Sequence, residues 1–209
     1  MRIIIFASGN GSNAENIINF AKNSGIQVEA LLCDKQYAPV IKKAEELGVK
    51  TFFIPYEISD TKKDHEKKIF KVLDSLQFDW ICLAGYMRIL SSDFIKKYSY
   101  KKSGLSKVIN IHPSLLPSFK GKDAYKQAFD YGVKISGVTV HLVDENIDTG
   151  PILLQKTFNR NENDSFLDFK NKGMQVEYKI YPEVLTQLRN FDPILEKGSQ
   201  TISWRSRCD

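Results

Sequence analysis

The chain has little cysteine, with three in 209 residues, and equally few methionines and histidines. No Cys-x-x-Cys pair occurs, which argues against a zinc ribbon or a thioredoxin-like redox centre. Cys33 and Cys82 stand in the apolar runs LLCD and WICLAG and read as buried, reduced thiols of a reducing compartment; the third is Cys208. Long hydrophobic runs are also missing, so no segment of the sequence has the length of a membrane span. The N-terminal run Ile3–Ala7 is too short for the core of a signal peptide, and turn residues follow at once. It reads as the first strand of a cytoplasmic protein. Nor does one sign of charge dominate. Lys and Arg total 30 against 25 Asp and Glu, a formal net charge of +5. The lysine pairs 62–63, 67–68 and 101–102 alternate with acids, as on solvated helix faces. Without a basic stripe interleaved with aromatics, nucleic acid is not an expected partner. The small excess still favours anionic small molecules. Repeats, low-complexity segments and clear linkers are absent, so residues 1–209 read as a single domain with a poorly patterned tail from about Asn190.

What is present is a core-forming composition, 42% hydrophobic and 11% aromatic. Short apolar runs alternate with helical patterns. Strands are expected at 2–7, 27–33, 50–55, 80–84 and 108–112. Helices are expected at 13–22, 39–47, 61–76, 91–98 and 124–131. This β-α-β-α rhythm predicts an α/β fold: a doubly wound, mostly parallel twisted sheet with helices on both faces. The rhythm then changes. Residues 136–144 (SGVTVHLVD) alternate with period two, with Thr139, His141 and Val143 on one face. A second strand is expected at 152–158. The intervening ENIDTGP predicts an antiparallel pair. A long helix follows, opened by a capping box of Ser165 and Asp168 and running towards Leu188, with Pro182 expected to break or kink it.

Several stretches suggest chemistry. Ser8-Gly-Asn-Gly-Ser-Asn13 follows the first strand directly. Gly9 and Gly11 allow a tight turn, and Ser12 with Glu15 fits a capping box. The N–H groups of such a helix start attract phosphate. The loop lacks the Lys-Ser/Thr of a Walker motif, and Ala14 replaces the third glycine of the dinucleotide fingerprint. An ordinary strand-to-helix turn remains the alternative. In VINIHPSLLP, Asn110 and His112 share one face at the C-terminal end of a strand, where open α/β sheets bind ligands. An amide is a fixed donor, and an imidazole transfers protons near neutral pH. The bland alternative is a satisfied core histidine. The run Asp144–Gly150 is either a polar turn or the source of Asp148 as a partner that raises the His112 pKa. Its spacing does not fit an EF-hand. Gly85–Leu90 (GYMRIL) offers apolar walls for a flat heterocycle. Glu177, on the last helix, is either a surface acid paired with lysine or the partner of a substrate amine.

The motifs SGNGSN, LAGYMRIL, NIHPSLLPSFKG, GVTVHLVDENIDTGPIL and EYKIYP, in that order, resemble those of the phosphoribosylglycinamide formyltransferase family, the folate-dependent transformylases of de novo purine synthesis. The middle motifs are shared with other formyltransferases, including amino-sugar enzymes and the formyltetrahydrofolate deformylase. The resemblance runs from Arg2 to about Leu188. It implies transfer of the formyl group of 10-formyltetrahydrofolate, a co-substrate, to the amine of phosphoribosylglycinamide, with no metal. It implies Asn110, His112 and Asp148 as catalytic. Gly11, Ser12, Asn13, Met174 and Glu177 would bind the phosphorylated amine. Lys62, Met87, Arg88, Ile89 and Leu90 would bind folate, together with Asn110 and the run Asp144, Glu145, Asn146, Ile147 and Asp148. It also implies an enzyme free of nucleic acid and membrane, acting as a monomer or homodimer. Tyr100–Ser106 reads as an insertion before the NIHP strand.

Overall fold

The structure is a computed structural model and describes residues 1–207, so Cys208 lies outside the described residues. The elements are β1 (Arg2–Ala7), α1 (Ser12–Ala21), β2 (Gln27–Cys33), α2 (Pro39–Glu46), β3 (Thr51–Phe53), α3 (Lys62–Leu73), β4 (Trp80–Leu83), α4 (Ser92–Lys97), β5 (Val108–His112), α5 (Ala124–Tyr131), β6 (Ile135–Leu142), β7 (Ile152–Asn159), α6 (Phe166–Asn190), β8 (Phe191–Leu195) and β9 (Ile202–Ser206). Strands β1 to β7 carry the sheet order β3-β2-β1-β4-β5-β6-β7. The expected alternation and the mostly parallel sheet are both present. Two compact units divide the chain, Met1–Ile109 and Asn110 onward.

In the first unit, β1 pairs in parallel with both β2 and β4. Residues Ile3, Ile4, Ile5, Phe6 and Ala7 are all 0% exposed, so side chains of alternating direction are covered on both faces. A strand buried on two sides needs an uninterrupted apolar run, which is why this one shows no alternation. Each of the isoleucine and phenylalanine side chains contributes about 1.5–3 kcal/mol by leaving water. β3 is shorter than expected. It is one of the two edge strands, and Pro55, which offers no amide hydrogen, follows closely. Cys33 and Cys82 are buried free thiols, as expected. Residues Tyr100–Ser106 form a tight turn: Ser99 and Ser106 bridge in antiparallel fashion, and Gly104 N–H donates to the Tyr100 carbonyl at 2.8 Å.

In the second unit, β6 and β7 form the expected antiparallel pair, from Ile135 opposite Asn159 to His141 opposite Ile152. α6 begins with the expected reciprocal capping box of Ser165 and Asp168. Two expectations need correction. α6 continues through Pro182 to Asn190, packing Ile180, Tyr181, Val184, Leu185 and Leu188 as one buried stripe. That two-turn apolar face outweighs the backbone bond that proline removes. The tail, expected to lack pattern, folds into a β8–β9 hairpin in which Pro193 faces Trp204. Phe191, Pro193, Leu195, Ile202 and Trp204 share one face of the ribbon, and Asp192, Ile194, Ser203 and Arg205 the other. No helix among the described residues is long and apolar enough to cross a membrane.

Candidate active site

β5 ends in Asn110-Ile111-His112, and its period-two geometry puts the amide and the imidazole on one face. His112 is only 4% exposed, yet its ring is surrounded by polar groups. Its Nε2 donates to the Phe119 carbonyl at 2.8 Å. Its Nδ1 lies 3.2 Å from Oδ2 of Asp148. The same carboxylate oxygen accepts from Gly121 N–H at 2.8 Å. Oδ1 of Asp148 stands 3.6 Å from Nε2 of His141. Nδ1 of His141 donates to the Leu142 carbonyl at 2.9 Å. A carbonyl can only accept, so a neutral His141 presents a bare Nε2, and Asn110 Nδ2 donates to it at 3.4 Å. Asn110, His112 and Asp148 thus meet as expected, and His141 joins them.

His141 was missed as a site residue. The signal was its place on the polar face of β6 beside Thr139. Thr139 explains how the loop after His112 is held. Its hydroxyl donates to the Ser114 carbonyl at 2.7 Å and accepts from Leu116 N–H at 3.1 Å. Gln155 of β7 donates to the Leu116 carbonyl at 2.9 Å. The Leu116–Pro117 peptide is cis. Phe119 and Asp148 both have φ of 52°, in the left-handed region. For a phenylalanine that conformation is a true outlier, and both strained residues are the direct partners of the His112 ring.

The electrostatics differ from expectation in one respect. Burial pulls the His112 pKa down and prevails, leaving it below the ordinary imidazole value, although the Phe119 carbonyl and the Asp148 charge push it up. Asp148 therefore acts with the expected sign but does not win in this conformation. Burial also works to raise the Asp148 pKa. There it loses to the hydrogen bond that Nε2 of His141 gives when that ring is protonated and to Gly121 N–H, so the carboxyl titrates below the usual aspartate value. The Asp148 contact by itself favours the imidazolium, against burial. A neutral ring donating from Nε2 turns a lone pair on Nδ1 towards the ionised Asp148, and protonation converts that repulsion into a hydrogen bond.

The first unit carries two further features. Gly11 precedes α1 with φ of 75°, and a Cβ there would lie 2.3 Å from Val40 Cγ2 on α2. The expected Ser12–Glu15 capping box does not form. The cap position is Gly11, without a side-chain cap, and Glu15 instead pairs with Lys43 at 2.7 Å. The chain turns so sharply at Gly11 that Ser12 already lies inside the helix.

The second feature is the loop after β4, which side chains tie down at successive points. The Ser8 hydroxyl accepts from Met87 N–H at 2.9 Å. Asp34, buried at the end of β2, accepts from Arg88 Nε at 2.7 Å. The Arg88 guanidinium also lies over the Tyr56 ring, 4.4 Å from its centroid. His65 meets the Tyr86 hydroxyl at 3.2 Å. Glu66 accepts from both the backbone and the hydroxyl of Ser91. Arg88, for which structural and anion-binding roles were both open, is thus held by Asp34 and Tyr56. Met87 and Ile89 remain 62% and 53% exposed while Leu90 is buried. Apolar side chains held out into solvent on so restrained a backbone form a ready apolar surface. Lys62, at the first turn of α3, is exposed.

Within Asp144–Asp148, Asp144 accepts from Asn146 N–H at 3.1 Å and from the Thr149 hydroxyl at 2.7 Å, while Glu145, Asn146 and Ile147 are exposed. Glu177 is not a surface acid. It is 9% exposed, on the buried face of α6, and accepts from the Tyr125 hydroxyl. Met174, one turn earlier, is half-buried.

A parallel-sheet strand ending in an amide and an imidazole, with a carboxylate behind the imidazole, suits acyl transfer. Residues 1–185 match the model of the formyl transferase family, and the chain belongs to that family. It is 41% identical over 199 residues to a phosphoribosylglycinamide formyltransferase of Bacillus subtilis (strain 168), covering 94% of this chain and 99% of the relative. It is 36% identical over 186 residues, 88% of its length, to the human trifunctional purine biosynthetic protein adenosine-3, of which it spans 18%. Among solved structures, glycinamide ribonucleotide transformylase 1 from Symbiobacterium toebii aligns with a TM-score of 0.88 at 28% identity, covering 99% of this chain and 94% of that one. The resemblance read from the motifs is therefore borne out at the level of the family.

Proposed function

We propose that the chain, as one formyltransferase domain in the cytoplasm, transfers the formyl group of 10-formyltetrahydrofolate to the amine of phosphoribosylglycinamide. The observation that carries this reading is the meeting of Asn110, His112 and Asp148 at the end of β5. Gly11, Ser12 and Asn13 bind the phosphate with the N–H groups of α1, whose first turn has no side-chain cap. Glu177 accepts from the substrate amine side, with Met174 beside it. Met87 to Leu90 receive the folate ring, with Asp144 to Asp148 completing its contacts, and Lys62 meets the folate's anionic end.

The chemistry moves one proton net. The amine lone pair forms a bond to the formyl carbon, and the C=O electron pair becomes an oxyanion. Asn110 N–H and the protonated His112 hydrogen-bond to that oxygen. The oxyanion then collapses, and the bond to folate N10 breaks. The amine gives up a proton and N10 gains one, with His112 the group placed to relay it. Asp148 favours the imidazolium that both roles need. For His112 to reach substrate, Nε2 exchanges the Phe119 carbonyl for the incoming oxygen.

The test supplies phosphoribosylglycinamide and 10-formyltetrahydrofolate and follows formation of tetrahydrofolate and of the formylated amine in equal amounts. Deformylation without the amine, or activity only with an amino-sugar nucleotide, overturns the proposal.

A further inference from the structure

We propose that Tyr125 is the positioning residue for the amine-side carboxylate: lying across the gap left by Gly173, it donates its hydroxyl to Glu177 and fixes which oxygen faces the substrate. The inference rests on the reading of Glu177 given above and adds the residue that sets its orientation.

The three same-face positions of α6 build the arrangement. Phe169 meets the Tyr125 ring edge-on, with centroids 6.3 Å apart and planes at 90°. One turn on, Gly173 leaves the space the ring occupies: a Cβ there would come within 2.3 Å of Tyr125 Cε1 and 2.4 Å of its hydroxyl oxygen. Another turn on, Oε1 of Glu177 accepts from that hydroxyl. The ring is therefore held from the side by Phe169 and lies directly against helix backbone. Tyr125 is 7% exposed and Glu177 9%, so water competes little for the pair. Burial first, and then the neighbouring Glu177 charge, pushes the phenol well above its ordinary pKa, so it remains a donor across the working range. A phenol that only donates here requires an accepting carboxylate.

The functional consequence is preorganisation. A free glutamate side chain loses about 1.5–2 kcal/mol of rotamer freedom when fixed. Here that cost is met on folding, so the benefit falls on affinity for the amine substrate and not on the formyl donor. A tyrosine that merely filled the core would lower thermal stability without favouring one substrate over the other.

The experiment measures KM for both substrates, kcat and the unfolding temperature in the full chain for Tyr125→Phe, Glu177→Gln and the double variant. Tyr125→Phe should raise KM for the phosphorylated amine about tenfold, a typical effect of losing one charge-assisted hydrogen bond, with folate KM and kcat within about twofold. In the double variant the tyrosine change should add nothing to the effect of Glu177→Gln, because the two act through one carboxylate. If Tyr125→Phe does not fold, Gly173→Ala displaces the ring and carries the same expectation. Glu177→Gln with an unchanged amine KM removes the Glu177 reading and this inference with it. Glu177→Gln with a raised KM, beside a Tyr125→Phe that leaves KM unchanged or shifts both substrates alike, overturns this inference alone.

Discussion

The carbonyl of Phe119 accepts a hydrogen bond from Nε2 of His112 at 2.8 Å, while Asp148 stands 3.2 Å from the other ring nitrogen. Both imidazole nitrogens are thus engaged by residues whose backbones are in the left-handed region. Each partner holds the ring through a backbone geometry that a fully relaxed chain would avoid.

Removing either oxyanion donor should be costly. Asn110→Ala and His112→Ala should each lower kcat by about 10²–10³. Circular dichroism should show an unchanged fold, because both side chains lie at a strand end. Turnover within threefold of the parent in either variant would remove the role assigned to that residue.

Asp148→Asn should move the pH profile as well as lower the rate. The Asp148 charge raises the His112 pKa against burial. Without it the imidazolium deprotonates at lower pH, so the alkaline fall of kcat/KM should shift towards acid. A shift towards base, or none, would mean that the carboxylate does not tune the ring.

Gly11→Ala combines a left-handed backbone with a Cβ pressed on Val40. It should cost about 2–4 kcal/mol, from roughly 1–2 for the backbone and the rest from crowding. KM for the phosphorylated substrate should rise with it. Gly11→Ala/Val40→Ala removes only the Cγ2 contact and leaves Val40 Cβ at 2.5 Å and Cα at 2.9 Å from the new methyl, so denaturant unfolding should show little recovery.

Stability should decline on mild acidification. Burial depresses the pKa of both His65 and His112 below the ordinary 6.5. As pH falls through that value the unfolded chain takes up protons before the folded one, so folding free energy is lost. The shifted carboxyls, such as Asp148, start from an ordinary value of 3.8 and are lowered, so they act below this window. Unfolding temperature should therefore drop between pH 8 and pH 5.5. His65→Gln, which keeps a donor for the Pro55 carbonyl, should flatten that slope. A temperature that stays constant or rises would contradict the assignment.

The alternation of strands and helices, the glycine turn after β1 and the shared face of Asn110 and His112 were all determined by the sequence alone. Each depends on local rules: period two in a strand, period 3.6 in a helix, and the freedom of glycine. Other features waited for the tertiary structure. Arg88 meets Asp34 across 54 residues and Tyr125 meets Glu177 across 52. His141 reaches Asn110 only because β5 and β6 are neighbours in the sheet. The Phe119 carbonyl is invisible to any side-chain pattern, since every residue carries one. The sign of the His112 shift turned on how far burial outweighs one nearby charge, and burial is a property of the packed chain. Contacts within one turn or one strand are written in residue spacing, whereas those that orient the reacting groups depend on register and packing between distant segments.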